Sequence, residues 1–162
     1  MQLRHEPAVL ALSRQPLPTL DRSAYAPAAG VARGAYVLAD SPGGSPEVIL
    51  IASGSELILA VEAHEKLLAE GIPSRVVSMP SWEIFDHQTQ EYRDSVLPPS
   101  VKARVAIEQA STFGWERYVG SSGHVIGMTT FGASAPLKEL QKKFGFEPDR
   151  VVMAAKQLLG KK

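Results

Sequence analysis

"EVILIASGSELILAVEAHEKLLAEGIPSRVVSMP", residues 47–80, places a segment of helical periodicity between two apolar runs. The runs EVILIAS and SRVVSMP are typical of buried strands in a parallel sheet. Between them, six residues recur at the spacing that places them on one face of a helix: Leu57, Ala60, Val61, His64, Leu67 and Leu68. Gly71 follows as a C-cap. We therefore predict a strand, a helix and a second strand, joined by a right-handed crossover.

The same alternation continues through the rest of the chain. Further strands are predicted in AYVLAD (35–40), ARVAIE (103–108) and HVIGM (124–128). Helices are predicted in SWEIF (81–85), TQEYRDSVL (89–97), TFGWERYVG (112–120), APLKELQKKFG (135–145) and PDRVVMAAKQLLG (148–160). Apolar strands separated by helices favour a parallel sheet covered on both faces. The expected fold class is α/β, a Rossmann-like three-layer sandwich with a mostly parallel sheet.

The N-terminal segment does not fit that sandwich. Ala8–Leu12 is an apolar run bounded by Pro7 and Pro16, and we predict a buried strand of parallel type there. Residues 16–33 follow, rich in Pro, Ala and Gly and without clean periodicity, as in a connection between domains. If the strand is ordered, it should pair with a sheet edge or another copy of the chain.

Composition excludes several classes of function. The 162 residues carry 17 basic and 17 acidic side chains, so nucleic acid is not an expected partner. Cysteine is absent, which excludes disulfides and thiolate metal sites. No window approaches the roughly 18 apolar residues of a membrane span, and no secretion signal is seen. We expect a soluble, cytoplasmic protein that binds no membrane.

A nucleotide could bind at the turn IASGSE, where a strand leads into a helix N-terminus. Only Gly54 of a glycine-rich fingerprint is present. Ser53 and Glu56 have the spacing of a capping box, in which side chains occupy the free backbone donors. Glu56 would also repel a phosphate. The pattern therefore favours a structural cap over a ligand site.

The histidines, serines and aromatic residues give weak signals. His5, His64, His87 and His124 lack metal-ligand spacing, and His64 shares the apolar face of its helix. His124, which opens a strand after GSSG, is the best of these candidates, and Asp86 beside His87 is a doubtful pair. No serine lies in a nucleophile elbow. Trp82 and Phe113–Trp115 are expected to be core or interface anchors rather than stacking platforms.

Arg14 is a stronger candidate for ligand binding. It follows the predicted strand, and ligands of α/β proteins bind at the carboxyl ends of parallel strands. A guanidinium binds phosphate or carboxylate through paired hydrogen bonds. A surface salt bridge is an equal alternative from position alone.

Five blocks of the sequence closely resemble the C-terminal part of transketolases. They are LALSRQPLPTLDRS (10–23), GAYVLAD (34–40), IASGSELILAVEAHEKLLAEGIPSRVVSMPSWEIFDHQTQEYRDSVLPPSV (51–101), MTTFGASAPLKEL (128–140) and FGFEPDRVV (144–152). The resemblance covers nearly the whole chain, from about Glu6 to about Leu159. Glu147 before Pro148 departs from a good N-cap and leaves the resemblance intact.

The resemblance implies a division of the chain and one site residue. Residues 1–15 would be the end of a pyrimidine-binding domain, 16–34 an interdomain linker and 35–162 the C-terminal domain. Arg14 would bind the phosphate of a sugar phosphate substrate. No catalytic, cofactor-binding or metal-binding residue would lie in this chain, because in the family these belong to two preceding domains.

The resemblance also implies an activity and its cofactors. The reaction would be transfer of a two-carbon ketol group from a ketose phosphate to an aldose phosphate, as in the pentose phosphate pathway. It would use thiamine diphosphate and a divalent cation, magnesium or calcium, in a homodimer of the full-length chain. The isolated chain is expected to be inactive.

Two alternatives remain open at this point. One is a stand-alone regulatory or ligand-binding α/β module, which would have little use for an unpaired apolar strand. The other is the C-terminal domain of a related thiamine diphosphate enzyme, a deoxyxylulose phosphate synthase or the β subunit of a 2-oxo acid dehydrogenase.

Overall fold

The computed structural model describes residues 7–161 and contains a five-stranded sheet with the order β1-β3-β2-β4-β5. The strands are β1 (Tyr36–Ala39), β2 (Val48–Ala52), β3 (Ser74–Ser78), β4 (Ala103–Ser111) and β5 (His124–Met128). β2 to β5 run parallel, and β1 pairs antiparallel with β3 at one edge. The predicted α/β class with a mostly parallel sheet is confirmed.

Helices cover both faces of the sheet. They are α1 (Leu57–Ala69), α2 (Trp82–Asp86), α3 (Gln90–Val96), α4 (Glu116–Val119), α5 (Leu137–Phe144) and α6 (Pro148–Leu158). Side-chain caps begin two of them, since Ser81 accepts from the amide of Ile84 and Thr89 from that of Tyr92. Within residues 7–161, no helix is long and apolar enough to cross a membrane.

The central strands form two cores because their side chains alternate between the two faces. Leu50 packs on the face covered by α1 and α6, whereas Ile49 and Ile51 pack with Phe85 and Trp115 on the other. Every residue of β2 and β3 is buried. Full burial of one such Leu or Ile side chain contributes about 1.5–3 kcal/mol, so these strands account for much of the stability.

The predicted strand Ala8–Leu12 is wrong. In the structure these residues form no strand, and every residue from 7 to 19 is exposed, with Val9 94% and Leu12 83% exposed. The extended conformation needs a neighbouring strand to satisfy its backbone groups, and no strand among the described residues pairs with it. Residues 1–6 and 162 lie outside the described part of the chain.

The second half of the expected linker packs against the sheet edge. The amide of Ala26 donates to the carbonyl of Leu38 in β1 over 2.9 Å, and the hydroxyl of Tyr25 donates to Glu65 of α1 over 2.7 Å. A 3₁₀ helix over Ala28–Arg33, which the sequence analysis did not predict, then leads into β1. These contacts cover the outer edge of β1.

Candidate functional site

The strand order places a switch point between β2 and β4. From β2 the chain crosses through α1 to β3 on one side, and it later returns to place β4 on the other side of β2. Ligands of open α/β sheets bind in the crevice beyond the carboxyl ends of the two strands at such a point. The candidate site is therefore the crevice where β2 ends at Ala52 and β4 passes Glu108.

Two carboxylic acids and two serines occupy this crevice. The hydroxyl of Ser53 donates to Oε2 of Glu108 over 2.8 Å, and the hydroxyl of Ser55 donates to Oε1 of Glu56. The Glu56 side chain is buried, with the residue 4% exposed, and Glu108 is half-buried. The crevice is thus lined by acidic groups with hydroxyl donors.

The predicted capping box is wrong in its contacts. The side chain of Ser53 accepts no capping hydrogen bond, and a 3₁₀ turn over Gly54–Glu56 lies between Ser53 and α1. Its hydroxyl instead bonds to Glu108, which comes 55 residues later. The expectation that Ser53 has a structural role rather than a ligand-binding one agrees with this arrangement. Its hydrogen-bond partner, however, lies on β4 and not on the helix.

Burial is the main reason that the pKa of Glu108 is raised above its ordinary value. The charge of Glu56 and a hydrogen bond between the two carboxyl groups raise it further, while the hydrogen bond from Ser53 lowers it. Glu108 thus retains its proton to a higher pH than a free glutamate does. The nearby acids would repel a diphosphate, so the crevice fits neither the phosphate site considered above nor the diphosphate of thiamine diphosphate.

Metal binding also lacks support in the described residues. Across residues 7–161, no group of three or more His, Cys, Asp or Glu side chains is arranged to hold a metal ion. A magnesium ion usually needs one or two carboxylates together with phosphate oxygens and water. The two carboxyls of the crevice accept hydrogen bonds from serines.

Arg14 lies away from this crevice. It is exposed, in a bend at the end of the segment predicted as a strand, and it forms no ion pair with any residue in the range 7–161. Since that segment is not a strand here, Arg14 does not occupy the carboxyl end of a sheet strand. Its proposed phosphate-binding role stays a prediction.

The described histidines lie apart from one another. His64 is buried in α1, where Nδ1 lies 2.7 Å from the hydroxyl of Ser74. His87 caps the C-terminus of α2. His124 is exposed at the start of β5, at the amino end of this parallel strand, whereas ligands of α/β sheets bind beyond the carboxyl ends. His5 lies outside the described residues.

Asp86 interacts with residues other than His87. Its carboxylate accepts hydrogen bonds from Arg117 and from the hydroxyl of Tyr118. These residues line a groove of about 270 Å³ that also contains Arg93 and Asp94. Two arginines and two aspartates give this groove no excess of either charge, so it does not favour an anionic substrate.

The aromatic residues divide between core and surface. Trp115 is 2% exposed and packs edge to face against Trp82, with ring centroids 5.0 Å apart. Phe113, two residues earlier, is 85% exposed. The prediction of core anchors is confirmed for Trp115, whereas Phe113 lies on the surface.

Sequence reasoning did not single out Glu108. The sequence contains one indication of its role, because Glu108 is an acidic residue at the end of the apolar run ARVAIE, in a strand predicted to be buried. Charged residues in buried strands are rare unless they are paired.

Comparison with known proteins gives a consistent result. Residues 34–147 match the family model described as the transketolase-like C-terminal domain. The chain is 49% identical over 156 residues to a transketolase of Geobacillus stearothermophilus, which covers 96% of this chain and 23% of the relative. It is 54% identical over 153 residues to transketolase 1 of Escherichia coli strain K12, covering 94% of this chain and 23% of that protein.

Solved structures agree with these relatives. A Pichia stipitis transketolase in complex with sedoheptulose-7-phosphate superposes with a TM-score of 0.78 at 37% identity, over 92% of this chain and 21% of that one. The chain thus spans about a quarter of the length of the two bacterial relatives, 23% of each.

Proposed function

The chain belongs to the transketolase family, in which it corresponds to the C-terminal domain, and on that premise we propose that it acts as part of a ketol-transferring enzyme. The reaction is transfer of a two-carbon ketol group from a ketose phosphate to an aldose phosphate. The observation that carries the proposal is the match over 96% of this chain to 23% of a transketolase. The other domains of such an enzyme then supply the reacting groups.

Thiamine diphosphate and a divalent cation, magnesium or calcium, belong to this proposal as cofactors of the whole enzyme. Thiamine diphosphate supplies a carbanion sink for the two-carbon unit when bound. The acidic crevice between β2 and β4 does not fit its diphosphate, because the acidic side chains of Glu56 and Glu108 would repel it. We therefore assign cofactor binding to parts of the enzyme other than residues 7–161.

Arg14 is proposed to bind the phosphate of the sugar substrate. Its guanidinium is exposed and has no acidic partner among the described residues. A guanidinium without an internal partner can form paired, charge-assisted hydrogen bonds to a phosphate. The Pichia stipitis transketolase in complex with sedoheptulose-7-phosphate is in keeping with a sugar phosphate as the ligand class.

The proposal also includes the organisation of the whole enzyme. Residues 1–15 end a pyrimidine-binding domain, 16–34 form the linker and 35–162 form the C-terminal domain. The enzyme is a homodimer that works in the cytoplasm, in the pentose phosphate pathway. The packing of Tyr25 and Ala26 beside β1 supports a linker that is partly fixed to this domain.

Two measurements test the proposed function. An antibody raised against this chain should detect, in an extract of the source organism, a polypeptide several times longer than 162 residues. The purified long polypeptide should transfer ketol groups when thiamine diphosphate, magnesium and both sugar phosphates are supplied, and the 162-residue chain should not. A native polypeptide of only this size, or turnover by the short chain alone, would contradict the proposal.

A further inference from the structure

Residues 129–139, TTFGASAPLKE, form a continuous exposed stretch after β5. Phe131 is 98% exposed and Leu137 is 38% exposed. The last three residues of the stretch begin α5, a helix with no buried residue. This stretch therefore contributes little to the core of its own domain.

Phe113 adds exposed apolar area at the same end of the sheet, beyond the carboxyl ends of the strands. It follows β4, as Phe131 follows β5, and β4 and β5 are parallel neighbours. Both aromatic rings therefore lie beyond the carboxyl ends of these two strands. Large exposed apolar surface marks interaction sites, and the two exposed rings lie at the same end of the sheet.

Gly132 offers a position at which contact with a partner can be tested. A Cβ added to this residue would meet no atom within 4 Å, and its backbone is not in the left-handed region that favours glycine. Its own domain therefore does not require glycine at this position. A side chain placed here would project into open space unless a partner lies against the stretch.

We propose that Phe113 and residues 129–139, together called the carboxyl-edge surface, dock the domains that precede this one in a longer transketolase polypeptide. This rests on the proposed function. The chain aligns with only 23% of a relative, so on the proposed function most of the enzyme lies outside it. Contacts between domains of one chain bury about 600–1,500 Å². The eleven-residue stretch, with Phe131 and Leu137, and the separate ring of Phe113 offer apolar area to such a contact.

The chemistry of the surface defines what the partner must present. The two phenylalanine rings require apolar pockets. Gly132 and the neighbouring Ala133 allow a backbone to pack against the stretch.

Cysteine labelling tests this surface directly, because the 162 residues contain no cysteine. Phe113→Cys and Phe131→Cys are made separately in the 162-residue chain and in the long native polypeptide, with Met153→Cys as control. Met153 is 58% exposed on α6. Each protein is treated with a maleimide, and the modified peptide is quantified by mass spectrometry.

All three thiols should react at similar rates in the 162-residue chain. In the long polypeptide, the Phe113→Cys and Phe131→Cys thiols should react about tenfold more slowly, since a covered thiol reacts only when the interface opens. The control should not change. A second variant, Gly132→Val, should leave the melting temperature of the short chain unchanged and lower that of the long polypeptide.

Three outcomes would overturn the proposal. Equal labelling in both proteins would show that the surface is not covered, even if the long polypeptide has full ketol-transferring activity. Protection that appears in the 162-residue chain at high concentration would assign the surface to a second copy. A native polypeptide of only 162 residues would remove the partner and contradict the proposed function as well.

Discussion

Ser53 and Glu108 join the turn after β2 to β4 through a hydrogen bond of 2.8 Å between residues 55 positions apart. The bond holds the two strands at the switch point and places a carboxyl group beside that of buried Glu56. Burial first, and then the charge of Glu56, raises the pKa of Glu108 above its ordinary value.

Replacement of Glu108 by glutamine should therefore stabilise the protein at neutral pH. Burial raises the pKa of Glu108 in the folded protein, so its contribution to stability is fully present below the unfolded pKa and is lost as the pH rises through the folded pKa. Glu108→Gln removes this loss and retains an acceptor for Ser53. We expect a gain of about 1 kcal/mol at pH 7, the scale of one polar interaction, and none at pH 4.

Denaturant unfolding at pH 4, 5.5 and 7 checks this prediction. The control is Glu116→Gln, at an exposed position at the start of α4. Lower stability of Glu108→Gln than of the wild type at pH 7 would show that the charged form is favoured in the crevice.

His64 should make stability fall on the acid side of neutrality. Burial lowers its pKa, and the negative charges of Asp40 and Glu65 offset this only in part. A lowered folded pKa gives stability that is present above the unfolded pKa of about 6.5 and is lost as the pH falls toward the folded value. The wild type should therefore lose more stability between pH 7.5 and 5 than His64→Gln does.

The measurement is thermal or urea unfolding at both pH values, and His124→Gln, at an exposed position in β5, is the control. Ser74→Ala should cost about 1 kcal/mol at pH 7.5, because Ser74 is fully buried and bonds to His64. Equal pH dependence in the wild type and His64→Gln would contradict the prediction.

The ion pair between Arg75 and Asp40 should contribute strongly to stability. Their side chains are 8% and 25% exposed, the NH2–Oδ2 distance is 2.6 Å, and Arg75 also donates to the carbonyl of Ser95. Asp40→Asn leaves a buried guanidinium without its counter-charge, and we expect a loss of about 3 kcal/mol.

The matched control is Glu47→Gln, which breaks the exposed pair with Lys161 and should cost about 0–1 kcal/mol. Urea unfolding of the two variants at pH 7 gives the comparison. Similar small losses in both would show that Arg75 is held by the backbone carbonyls rather than by Asp40.

Gly34 should tolerate no side chain. Its φ is +81°, and an added Cβ would lie 2.2 Å from the backbone nitrogen of Phe85. Gly43 has a similar φ of +84° but open space around it, so Gly43→Ala measures the backbone strain alone. We expect a cost of about 1–2 kcal/mol for Gly43→Ala and a clearly larger one for Gly34→Ala, measured by urea unfolding. Equal costs would mean that the contact with Phe85 relaxes freely.

Arg14→Ala should weaken sugar phosphate binding in the long polypeptide. Loss of a charge-assisted hydrogen bond costs about 1.5–3 kcal/mol, so the KM for the ketose phosphate should rise at least about tenfold, with Arg14→Lys intermediate. Arg22→Ala is the control, since Arg22 lies in the same segment and bonds to the carbonyl of Ala26. Steady-state kinetics with phosphorylated and unphosphorylated ketoses separate a phosphate contact from a general effect, and an unchanged KM for Arg14→Ala would contradict the assignment.

Local patterns were sufficient to predict several helices and strands and where they begin. The predicted strand HVIGM has the bounds of β5, and the helical spacing from Leu57 to Leu68 marks α1 to within one residue. Thr89 and Pro148 also lie where helices begin. Such features depend on periodicity and capping among residues a few positions apart, so the sequence displays them directly.

Contacts between residues distant in the sequence determined the features that local patterns did not predict. Ala8–Leu12 has a strand-like composition but lacks a partner strand among the described residues, and Ser53 bonds to Glu108 although its spacing from Glu56 suits a cap. The local pattern could not separate exposed Phe113 from buried Trp115. Composition and spacing were enough to recognise the family and the layers of the sandwich. The partner of each polar group and the exposure of each aromatic ring depended on which residues the folded chain brings together, because hydrogen bonding and burial are properties of neighbours in space.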